Sequence, residues 1–421
     1  MKIKTIKQVR NLAGKRVLLR VDFNVPIKIN PSTKAQGKVA DDKRILVSLP
    51  TIEYLLKQKA KVILVTHLGR PAGYNGKEKS GYDKKFSLRP VVKKTSELLE
   101  KKIIFVEDKK IGRSEDQKIY FDNAKKIIDK MKTGEIVMLE NMRFFPEEAK
   151  DIVDLSKKLA SLGDIFVLDG FAVAHRSAAS VSGVAKYLPS YAGLLLEREI
   201  AGLSKVMNKP KKPFVLILGG IKMETKIPVI KNLLPKCDYA LIGAGIINTY
   251  LWAKGYKVGD SAVDKDYKKE ILKYCSSKKV IKPVDVVVGT MDGKKYRHVV
   301  LDKKPNQICK KGEAILDCGP GTVQLYAKYI KKAQTLVWNG PMGFFQVKPY
   351  DIGSFSIARL VAGRAKGKAF GVIGGGETLQ TMELVGMTEY VDLVSTGGGA
   401  MLEFLSGKKL PGVEAVSTKK K

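Results

Sequence analysis

Two lysines four residues apart, Lys222 and Lys226, stand at the start of a predicted helix in the segment FVLILGGIKMETK. The apolar run Phe214–Leu218 before them predicts a strand buried on both faces of a parallel sheet. Gly219 and Gly220 separate strand and helix, so a ligand can approach the backbone there without meeting a Cβ atom. Lysines on one helix face after such a loop favour a polyphosphate site. Taken alone, the segment also fits a tight turn followed by solvated lysines.

Basic and polar side chains also follow the predicted strands of the first half of the chain. Ligands of parallel α/β sheets bind beyond the carboxyl ends of the strands, so these residues are expected to converge. Arginine keeps its charge and binds phosphate or carboxylate bidentately, so four arginines indicate a small anion carrying both groups. Each arginine alone also fits a surface charge, and the histidines are interpreted as hydrogen-bonding neighbours rather than acid–base catalysts. The residues are Asp22, Asn24, Arg44, His67, Arg70, Arg143, His175 and Arg176.

The second half of the chain lacks such arginines and instead carries glycine-rich segments after its predicted strands. Helix starts that follow glycines present backbone N–H groups and the positive end of the helix dipole to phosphate oxygens. Several such segments along one sheet edge favour a nucleotide pocket, although glycine clusters also serve tight turns. Glu377 fits a ligand of Mg²⁺ carried by phosphates, although taken alone it fits a helix-capping acid better. The segments contain Gly243, Gly319, Asn339, Pro341, Gly374, Gly375, Gly376, Glu377 and Thr378.

Twelve strand-like runs, most of them separated by helical stretches, must position these residues. The alternation of strands and helices predicts an α/β fold with parallel sheets flanked by helices. The 421 residues exceed one typical core, so two domains are expected, with residues 191–209 interpreted as one helix that joins them as a hinge. The runs centre on Val17–Val21, Val62–Thr66, Ile103–Val106, Ile136–Leu139, Ile165–Leu168, Phe214–Leu218, Ala240–Ile242, Val284–Val288, Ala314–Leu316, Leu336–Val337, Ala369–Ile373 and Asp392–Val394.

The chain has 77 basic and 42 acidic residues, which gives a formal net charge of +35. This charge favours anionic ligands, either small phosphates or nucleic acid, although a proteome-wide lysine excess would explain it equally well. No apolar run is long enough to span a bilayer and the N-terminus lacks a signal-peptide core, so a cytoplasmic location is expected. Four cysteines without CxxC spacing argue against a zinc site or a disulfide framework.

Several motif classes are absent from the sequence. There is no GxxxxGK[ST] phosphate loop, and neither HRD nor DFG of the protein kinases occurs. The segment GAGIIN lacks the last glycine of the dinucleotide fingerprint, which argues against a dinucleotide-dependent dehydrogenase. A nucleic-acid-binding protein should interleave basic and aromatic residues on one face, whereas the aromatic residues and lysines are scattered along this sequence.

The segments RVDFNVP, THLGRP, DGFAVAHR, LGGIKMETK, WNGPMG, GGGET and STGGGA occur in this order, and with them the whole chain resembles the phosphoglycerate kinase family. The resemblance implies two Rossmann-like three-layer α/β/α domains with parallel sheets, at 1–190 and 210–404. It implies a hinge helix at 191–209 and a tail at 405–421 that returns to the first domain. The implied reaction is reversible phosphoryl transfer between ATP and the carboxylate of 3-phosphoglycerate, which gives ADP and 1,3-bisphosphoglycerate.

The family's residue roles carry over where the motifs match. Arg44, Lys222 and Lys226 are implied to act on the transferring phosphoryl group. Mg²⁺ is implied to enter with the nucleotide phosphates, with Glu377 as its protein ligand. The implied 3-phosphoglycerate site contains Asp22, Phe23, Asn24, Arg44, His67, Leu68, Gly69, Arg70, Arg143, His175 and Arg176. The implied nucleotide site contains Gly219, Gly220, Lys226, Gly243, Gly319, Asn339, Pro341, Gln346, Gly374, Gly375, Gly376, Glu377 and Thr378.

Two positions, Gln346 and Glu377, depart from the family's pattern, and so does the segment VKPYDIGSFSIA that follows Gln346. Gln346 stands where the family usually has an acidic residue for the ribose hydroxyls, so nucleotide affinity and base selectivity do not follow from the resemblance. Glu377 stands where aspartate is usual and is one methylene longer, which shifts the expected metal geometry. The acceptor carboxylate is ionised at neutral pH, so no general base is required. Hinge closure is expected to join the substrates and exclude water in a monomer without membrane or specific nucleic-acid partners.

Overall fold

The computed structural model describes residues 3–29, 36–72, 81–109, 111, 114–150, 153–301 and 307–418. The chain divides into two compact units. Unit 1 contains residues 1–200 and 409–421, and unit 2 contains residues 201–408. The last three residues of the predicted tail, 419–421, lie outside the described part.

Unit 1 contains a six-stranded parallel sheet. Its strands are β1 (Arg16–Arg20), β4 (Lys61–Val65), β5 (Ile103–Val106), β6 (Ile136–Leu139), β7 (Ile165–Leu168) and β8 (Ser190–Ala192). They lie in the order β5-β6-β4-β1-β7-β8, with β1 paired to β4 and β7. Most residues of these strands are buried, as expected for a sheet that helices cover on both faces. Two short strands, β2 (Ile27–Ile29) and β3 (Gln36–Val39), form a separate antiparallel pair.

Helices flank the sheet of unit 1. They are α1 (Lys43–Leu46), α2 (Leu49–Lys57), α3 (Arg89–Leu99), α4 (Ser114–Asp129), α5 (Val153–Ser161), the first seven residues of α6 (Leu194–Asn208), and α14 (Pro411–Ala415) near the C-terminus. Both α2 and α3 carry proline in their first two positions, where its missing N–H leaves no helical hydrogen bond unmade. Ile52 and Leu55 of α2 lie three residues apart and join Val17 and Leu19 of β1 in one apolar cluster.

Unit 2 contains a second six-stranded parallel sheet. Its strands are β9 (Phe214–Leu218), β10 (Tyr239–Ile242), β11 (Val280–Ile281), β15 (Thr335–Asn339), β16 (Phe370–Gly374) and β17 (Leu393–Ser395), in the order β11-β10-β9-β15-β16-β17. The flanking helices are α7 (Met223–Leu233), α8 (Ala244–Ala253), α9 (Lys268–Cys275), α10 (Pro320–Ile330), α11 (Ile352–Arg364), α12 (Gly376–Leu384) and α13 (Gly399–Leu405). The predicted α/β class with two parallel sheets is therefore confirmed.

Each of the twelve predicted runs contains a strand, but two of these strands lie outside the parallel sheets. These are β12 (Asp285–Gly289) and β14 (Ala314–Cys318), which form an antiparallel sheet with β13 (Tyr296–Val300) between unit 2 helices. The expectation that the strands join parallel sheets is wrong here. Only six residues connect β12 to β13, which is too short for a parallel crossover and suits a hairpin.

The helix predicted at 191–209 begins later than expected. Residues Ser190–Ala192 pair with β7 as an edge strand, and α6 starts at Leu194. The Asp169 carboxylate accepts the N–H of Leu195 at 2.9 Å, which caps the start of the helix. The boundary between the two units falls inside α6, after Ile200. A hinge role for this helix remains a prediction.

The C-terminal segment packs on unit 1. The N–H of Gly412 donates to the carbonyl of Ala174 at 2.8 Å, and the N–H of Lys4 donates to the carbonyl of Val416 at 2.8 Å. Val416 is fully buried. A Cβ atom at Gly412 would lie 2.8 Å from Leu168 and 2.9 Å from Ala174, so the backbone approaches the unit 1 core closely here.

We expect Gly412→Ala to lower the unfolding temperature, because the added methyl group overlaps both Leu168 and the Ala174 backbone. Gly363 in α11 is the matched control, since it is exposed and nothing lies within 4 Å of a Cβ built there. Gly363→Ala should raise stability by roughly 0.5–1 kcal/mol through helix propensity. Calorimetry of both variants decides the point; equal stabilisation by the two would show that the Gly412 contact is not tight.

Candidate functional site

The polar residues that follow β1 are tied to neighbouring elements of unit 1. Asp22 is 8 % exposed and accepts a hydrogen bond from Nη1 of Arg44 in the short helix α1. Asn24 accepts the N–H of Gly69 through Oδ1 at 2.8 Å. Gly69 lies in the loop that follows β4. These contacts hold the ends of two adjacent strands together at the carboxyl edge of the sheet.

His67, in the loop after β4, is buried beside several cations. Its Nδ1 atom lies 3.3 Å from Nη2 of Arg20. Burial and then the charges of four arginines hold the pKa of His67 well below its usual range; they are Arg20, Arg143, Arg176 and Arg44. The imidazole is therefore neutral at pH 7, so it offers hydrogen bonds to a ligand but adds no positive charge.

Three of the four predicted arginines are among the main charges that lower the pKa of His67, and Arg70 is not among those charges. Arg143 is 7 % exposed and donates through Nη1 to the carbonyl of Gly69. Arg70 is exposed, and within the described residues no hydrogen bond or ion pair holds it against the others. Its place in an anion site remains a prediction.

The side-chain amide of Asn141 contacts both the loop after β4 and Arg143. Oδ1 of Asn141 accepts the N–H of Leu68 at 3.1 Å and the N–H of Arg143 at 3.0 Å, while Nδ2 donates to the carbonyl of Leu68 at 2.8 Å. Both backbone polar groups of Leu68 are thereby satisfied inside the protein. Asn141 consequently fixes the position of Arg143 relative to His67.

Beneath that amide lies a buried carboxyl group. Oε1 of Glu140 accepts the N–H of Asn141 and of Leu88 at 2.8 Å each, and Oε2 accepts Oγ–H of Ser87 at 2.8 Å. Burial raises the pKa of Glu140 to about 7, against the lowering effect of these hydrogen bonds. The loops that carry His67 and Arg143 therefore rest on a group that titrates near neutrality.

Four further predicted site residues differ in which of their atoms could contact a ligand. The side chains of Phe23 and Leu68 are buried in the apolar core, so they can face a ligand only through their backbone. Gly69 has a φ of 59°, and a Cβ atom there would lie 2.3 Å from Phe86, so no other residue type fits. His175, like Arg176 beside it, is half-buried after the turn that follows β7.

A buried network behind His67 was missed in the sequence. Nε of Arg20 donates to Oγ of Ser180 at 2.8 Å, and that hydroxyl donates to Oε1 of Glu148 at 2.5 Å. Arg20 is 2 % exposed. One signal was available for Arg20, since it alternates with Asp22 and Asn24 and period-two spacing places all three on one face. Nothing local in the sequence marks Ser180 or Glu148.

In unit 2 the loops after β9 and β15 touch through their backbones. The two strands pair in parallel, and the N–H of Gly220 donates to the carbonyl of Pro341 at 3.0 Å. A Cβ atom at Gly219 would lie 1.9 Å from that same oxygen, and Gly220 has a φ of 80°. The protein's own packing therefore requires glycine at position 219, and the backbone conformation favours it at position 220.

Lys226 lies buried at this edge, and its partner is Asn339. Nζ of Lys226 donates to Oδ1 of Asn339 and, at 3.3 Å, to its carbonyl oxygen. Nδ2 of Asn339 donates to the carbonyl of Gly374 at 2.6 Å, while Oγ1 of Thr378 accepts the N–H of Gly340 at 2.7 Å. Burial lowers the pKa of Lys226 to about 8, opposed by the nearby charge of Glu377. The predicted lysine, amide and glycine-rich loop thus form one connected cluster.

The two predicted lysines differ in their surroundings. Lys222 is exposed at the N-cap of α7, whereas Lys226 is 6 % exposed one turn later. Gly375 has a φ of 98° at the N-cap of α12, and Gly376 and Glu377 are exposed in its first turn. The first turn of a helix has N–H groups without helical partners. The edge therefore presents the exposed ammonium of Lys222, the buried ammonium of Lys226 and the N-terminus of α12.

Two other predicted helix starts are occupied by the protein itself. At α10 the N–H groups of Gly321 and Thr322 donate to the Asp285 carboxylate at 2.8 and 2.7 Å, and that of Gly319 donates to the Asp285 carbonyl. At α8 the N–H of Ala244, which follows Gly243, donates to the carbonyl of Met342 at 2.9 Å. The expectation of free N–H groups is wrong at α10, so Gly319 can line a pocket but not bind phosphate there.

Gln346 is exposed in the loop between β15 and α11. Among the residues with described positions, no group of three or more histidine, cysteine or acidic side chains is arranged to hold a metal ion. The four cysteines are free and buried. No helix in the described ranges has the length and apolar character needed to cross a membrane.

A cationic edge in one α/β unit and a glycine-rich edge with a buried lysine in another are typical of proteins that bind anions beyond parallel strands. The family model described as phosphoglycerate kinase matches residues 6–408. The chain is 41 % identical to the phosphoglycerate kinases of Pelotomaculum thermopropionicum and Chloroflexus aurantiacus, over 99 % of each chain. The chain belongs to the phosphoglycerate kinase family.

Solved structures agree with this assignment. Phosphoglycerate kinase from Coxiella burnetii superimposes with a TM-score of 0.82 at 35 % identity, covering 98 % of both chains. The enzyme from Pyrococcus horikoshii superimposes with a TM-score of 0.79 at 31 % identity, again over 98 % of both chains. The similarity therefore extends over both units and the C-terminal segment.

The raised pKa of Glu140 predicts a pH dependence of stability. The folded state keeps the proton up to about pH 7 while the unfolded state loses it near 4.5, so this group's contribution falls as pH rises between those values. Glu140→Gln removes the titration, and its amide can keep the contacts to Ser87 and Leu88. As pH rises from 4.5 to 7.5, the free energy of unfolding of the variant should increase relative to that of wild type, by up to roughly 3 kcal/mol.

Urea unfolding at several pH values measures this difference. Glu53→Gln, an exposed change on α2, is the control and should run parallel to wild type at every pH. A difference between Glu140→Gln and wild type that stays constant with pH would refute a raised pKa at this site.

Proposed function

We propose that the chain catalyses reversible, Mg²⁺-dependent phosphoryl transfer between ATP and the carboxylate of 3-phosphoglycerate, giving ADP and 1,3-bisphosphoglycerate. Family membership supports this reaction. The observation that carries the proposal is that the two sheet edges present different groups. Arginines gathered around a neutral histidine suit an acceptor with a phosphate and a carboxylate. A buried lysine beside backbone-lined loops suits a nucleotide polyphosphate.

In unit 1 the proposed acceptor site is formed by the cationic cluster. Asp22 holds the guanidinium of Arg44 in place through a direct hydrogen bond. Arg143 and Arg176 supply further charge around His67, whose neutral ring would donate or accept one hydrogen bond. Because all these cations are arginines, the charge available to the substrate does not change across the physiological pH range. Arg70 and His175 complete the site in this proposal.

In unit 2 the proposed nucleotide site is the edge around Lys226. With a pKa of about 8 this lysine is charged at pH 7 and stands ready to neutralise phosphate oxygens. Lys222 is exposed and would move onto the transferring group. Exposed N–H groups at the start of α12 would bind phosphate oxygens, and Gly243, Gly319 and Gln346 would line the pocket for the base and sugar.

The residues present fit Mg²⁺ that arrives on the nucleotide. Mg²⁺ keeps most of its ligands as water and phosphate and takes one or two carboxylates from protein. Glu377 is exposed in the first turn of α12, near enough to Lys226 to act on its pKa. We assign Glu377 as the carboxylate, and the ion would supply charge neutralisation on the phosphates.

The proposed reaction needs no general base, because the attacking carboxylate is already ionised at neutral pH. Its barrier would be lowered by in-line positioning and by neutralising charge on the moving phosphoryl group, with Arg44 and the two lysines as cations. Acceptor and donor would bind to different units, so transfer requires the units to approach each other and exclude water. A cytoplasmic, monomeric enzyme is part of the same proposal.

A coupled assay tests the proposal directly. Purified protein is given ATP, Mg²⁺ and 3-phosphoglycerate, and formation of 1,3-bisphosphoglycerate is followed by a coupled reduction. Turnover that needs all three components supports the reaction, and no turnover at any concentration overturns it. The net charge of +35 also allows non-specific nucleic-acid binding, which retention on DNA at increasing salt measures separately.

Arg44→Ala should lower kcat about 10²- to 10³-fold and change both KM values little, because charge spreads over the phosphoryl group only during transfer. Lys43→Ala, at the exposed neighbouring position on α1, is the control and should keep kcat. Steady-state kinetics for both substrates decide between the roles. A variant with wild-type kcat and a raised KM would make Arg44 a binding residue.

If the exposed side chain of Gln346 faces the ribose, Gln346→Glu should lower the dissociation constants of ATP and ADP about threefold to thirtyfold. A carboxylate accepts charge-assisted hydrogen bonds worth roughly 1.5–3 kcal/mol, against about 1 for a neutral amide. Isothermal titration of wild type and variant measures the change. The gain should shrink for 2′,3′-dideoxy-ATP, which lacks the hydroxyls, and equal ATP affinity would place another residue at the sugar.

A further inference from the structure

Arg20 lies behind the proposed acceptor site rather than in it. It ends β1, is 2 % exposed, and uses all three guanidinium nitrogens inside unit 1. Nε donates to Oγ of Ser180 at 2.8 Å, Nη1 donates to the carbonyl of Val21, and Nη2 lies 3.3 Å from Nδ1 of His67. A side chain so enclosed can influence a ligand only through the groups that it contacts.

The contact with His67 has one consistent proton arrangement. A guanidinium has only N–H donors, so the Nδ1 atom that faces it must present a lone pair. In a neutral imidazole the proton then belongs to Nε2. Among the described residues, the group that favours the opposite tautomer is the carboxylate of Asp22, whose Oδ1 is 3.8 Å from Nδ1. That distance is beyond hydrogen-bond range, so the 3.3 Å contact from Arg20 decides the tautomer.

Glu148 and Ser180 hold the side chain of Arg20 in position. Glu148 is 5 % exposed, and its Oε1 lies 4.0 Å from Nη2 of Arg20. The same carboxylate accepts both the hydroxyl and the N–H of Ser180, at 2.5 and 2.9 Å. Ser180 can therefore turn only its oxygen lone pair toward Arg20. The negative charges of two carboxylates, Glu148 and Asp22, favour the charged form of the buried guanidinium.

We infer that Arg20 is a positioning residue that fixes His67 as the neutral Nε2–H tautomer, so that the ring presents a hydrogen-bond donor to the anion. Within the described part of unit 1, Nε2 of His67 has no protein hydrogen-bond acceptor. The Nε2–H group of His67 can therefore donate to a carboxylate or phosphate oxygen of a ligand at this cationic edge. The charged groups around the imidazole are Arg20, Asp22, Arg44, Arg143 and Arg176. The catalytic part of this inference rests on the proposed function, and the tautomer does not.

Nitrogen NMR of the imidazole rings tests the tautomer without any substrate. The chain has three histidines, so protein labelled with ¹⁵N-histidine gives three ring systems, and the one lost in His67→Gln belongs to His67. The wild-type ring should show a protonated Nε2 and a bare Nδ1 at pH 7. In Arg20→Met the donor is gone, and the ring should become a mixture of tautomers or shift to Nδ1–H.

Two further variants keep the test interpretable. Arg16→Met makes the same change at the other end of β1, where Arg16 pairs with Asp164 at 2.7 Å, and should leave the His67 signals unchanged. Arg20→Met combined with Glu148→Gln removes the buried carboxylate that Arg20 would leave unpaired, so a folded protein is available if the single variant misfolds. An unchanged Nε2–H signature in either Arg20 variant overturns the inference, as does a wild-type ring protonated at Nδ1.

The kinetic arm separates this inference from the proposed function. Arg20→Met should raise KM for 3-phosphoglycerate about threefold to tenfold and leave kcat within about twofold, as for a lost hydrogen bond to bound substrate. Arg16→Met should change neither value. If wild type has no activity, the proposed function fails while the NMR result still decides the tautomer. If the tautomer shifts but KM for 3-phosphoglycerate does not, the positioning role toward the substrate is wrong.

Discussion

Several arginines lie at the C-terminal ends of the strands in the unit 1 sheet, and the repulsion between their positive charges is the constraint on the surrounding residues. Two like charges 4 Å apart repel by about 4 kcal/mol at an effective dielectric constant of 20. Asp22 and Glu148 offset part of this repulsion from inside the protein, beside Arg44 and Arg20 respectively. The remaining excess of positive charge points to an anionic ligand, because binding an anion relieves the repulsion that the fold alone leaves.

The same constraint explains why the supporting residues are neutral or acidic. Asn141 holds both Leu68 and Arg143 through one amide, which adds no charge to the cluster. The buried group beneath it, Glu140, has a pKa near 7, so it too can be uncharged. A lysine or arginine in either place would add to the repulsion. The unit 2 edge meets a different constraint, since its loops pack through backbone atoms and leave no room for a Cβ atom at Gly219.

The sequence predicted the parallel sheets and the edges that carry the polar residues, because burial on both faces leaves unbroken apolar runs and each run ends in charged or glycine-rich segments. It failed where position depends on residues far apart in the chain. Ser180 reaches Arg20 across 160 residues. Asp285 caps α10 from a strand that sequence pattern assigned to the parallel sheet. The difference in burial between Lys222 and Lys226 could not be predicted either, since only the fold shows that Lys226 is buried against Asn339.

The two edges differ in how their charge responds to pH, and this difference follows from which cations are buried. Guanidinium groups stay charged even at 2 % exposure, as Arg20 illustrates, because their pKa starts so high that burial cannot bring it into the physiological range. The ammonium of Lys226 starts lower, and burial brings its pKa to about 8. An anion bound beside it favours the charged form and raises that pKa again, so binding at unit 2 draws in protons above about pH 8. Binding by the arginines of unit 1 draws in none, so of the cations described at the two edges Lys226 links anion affinity to pH.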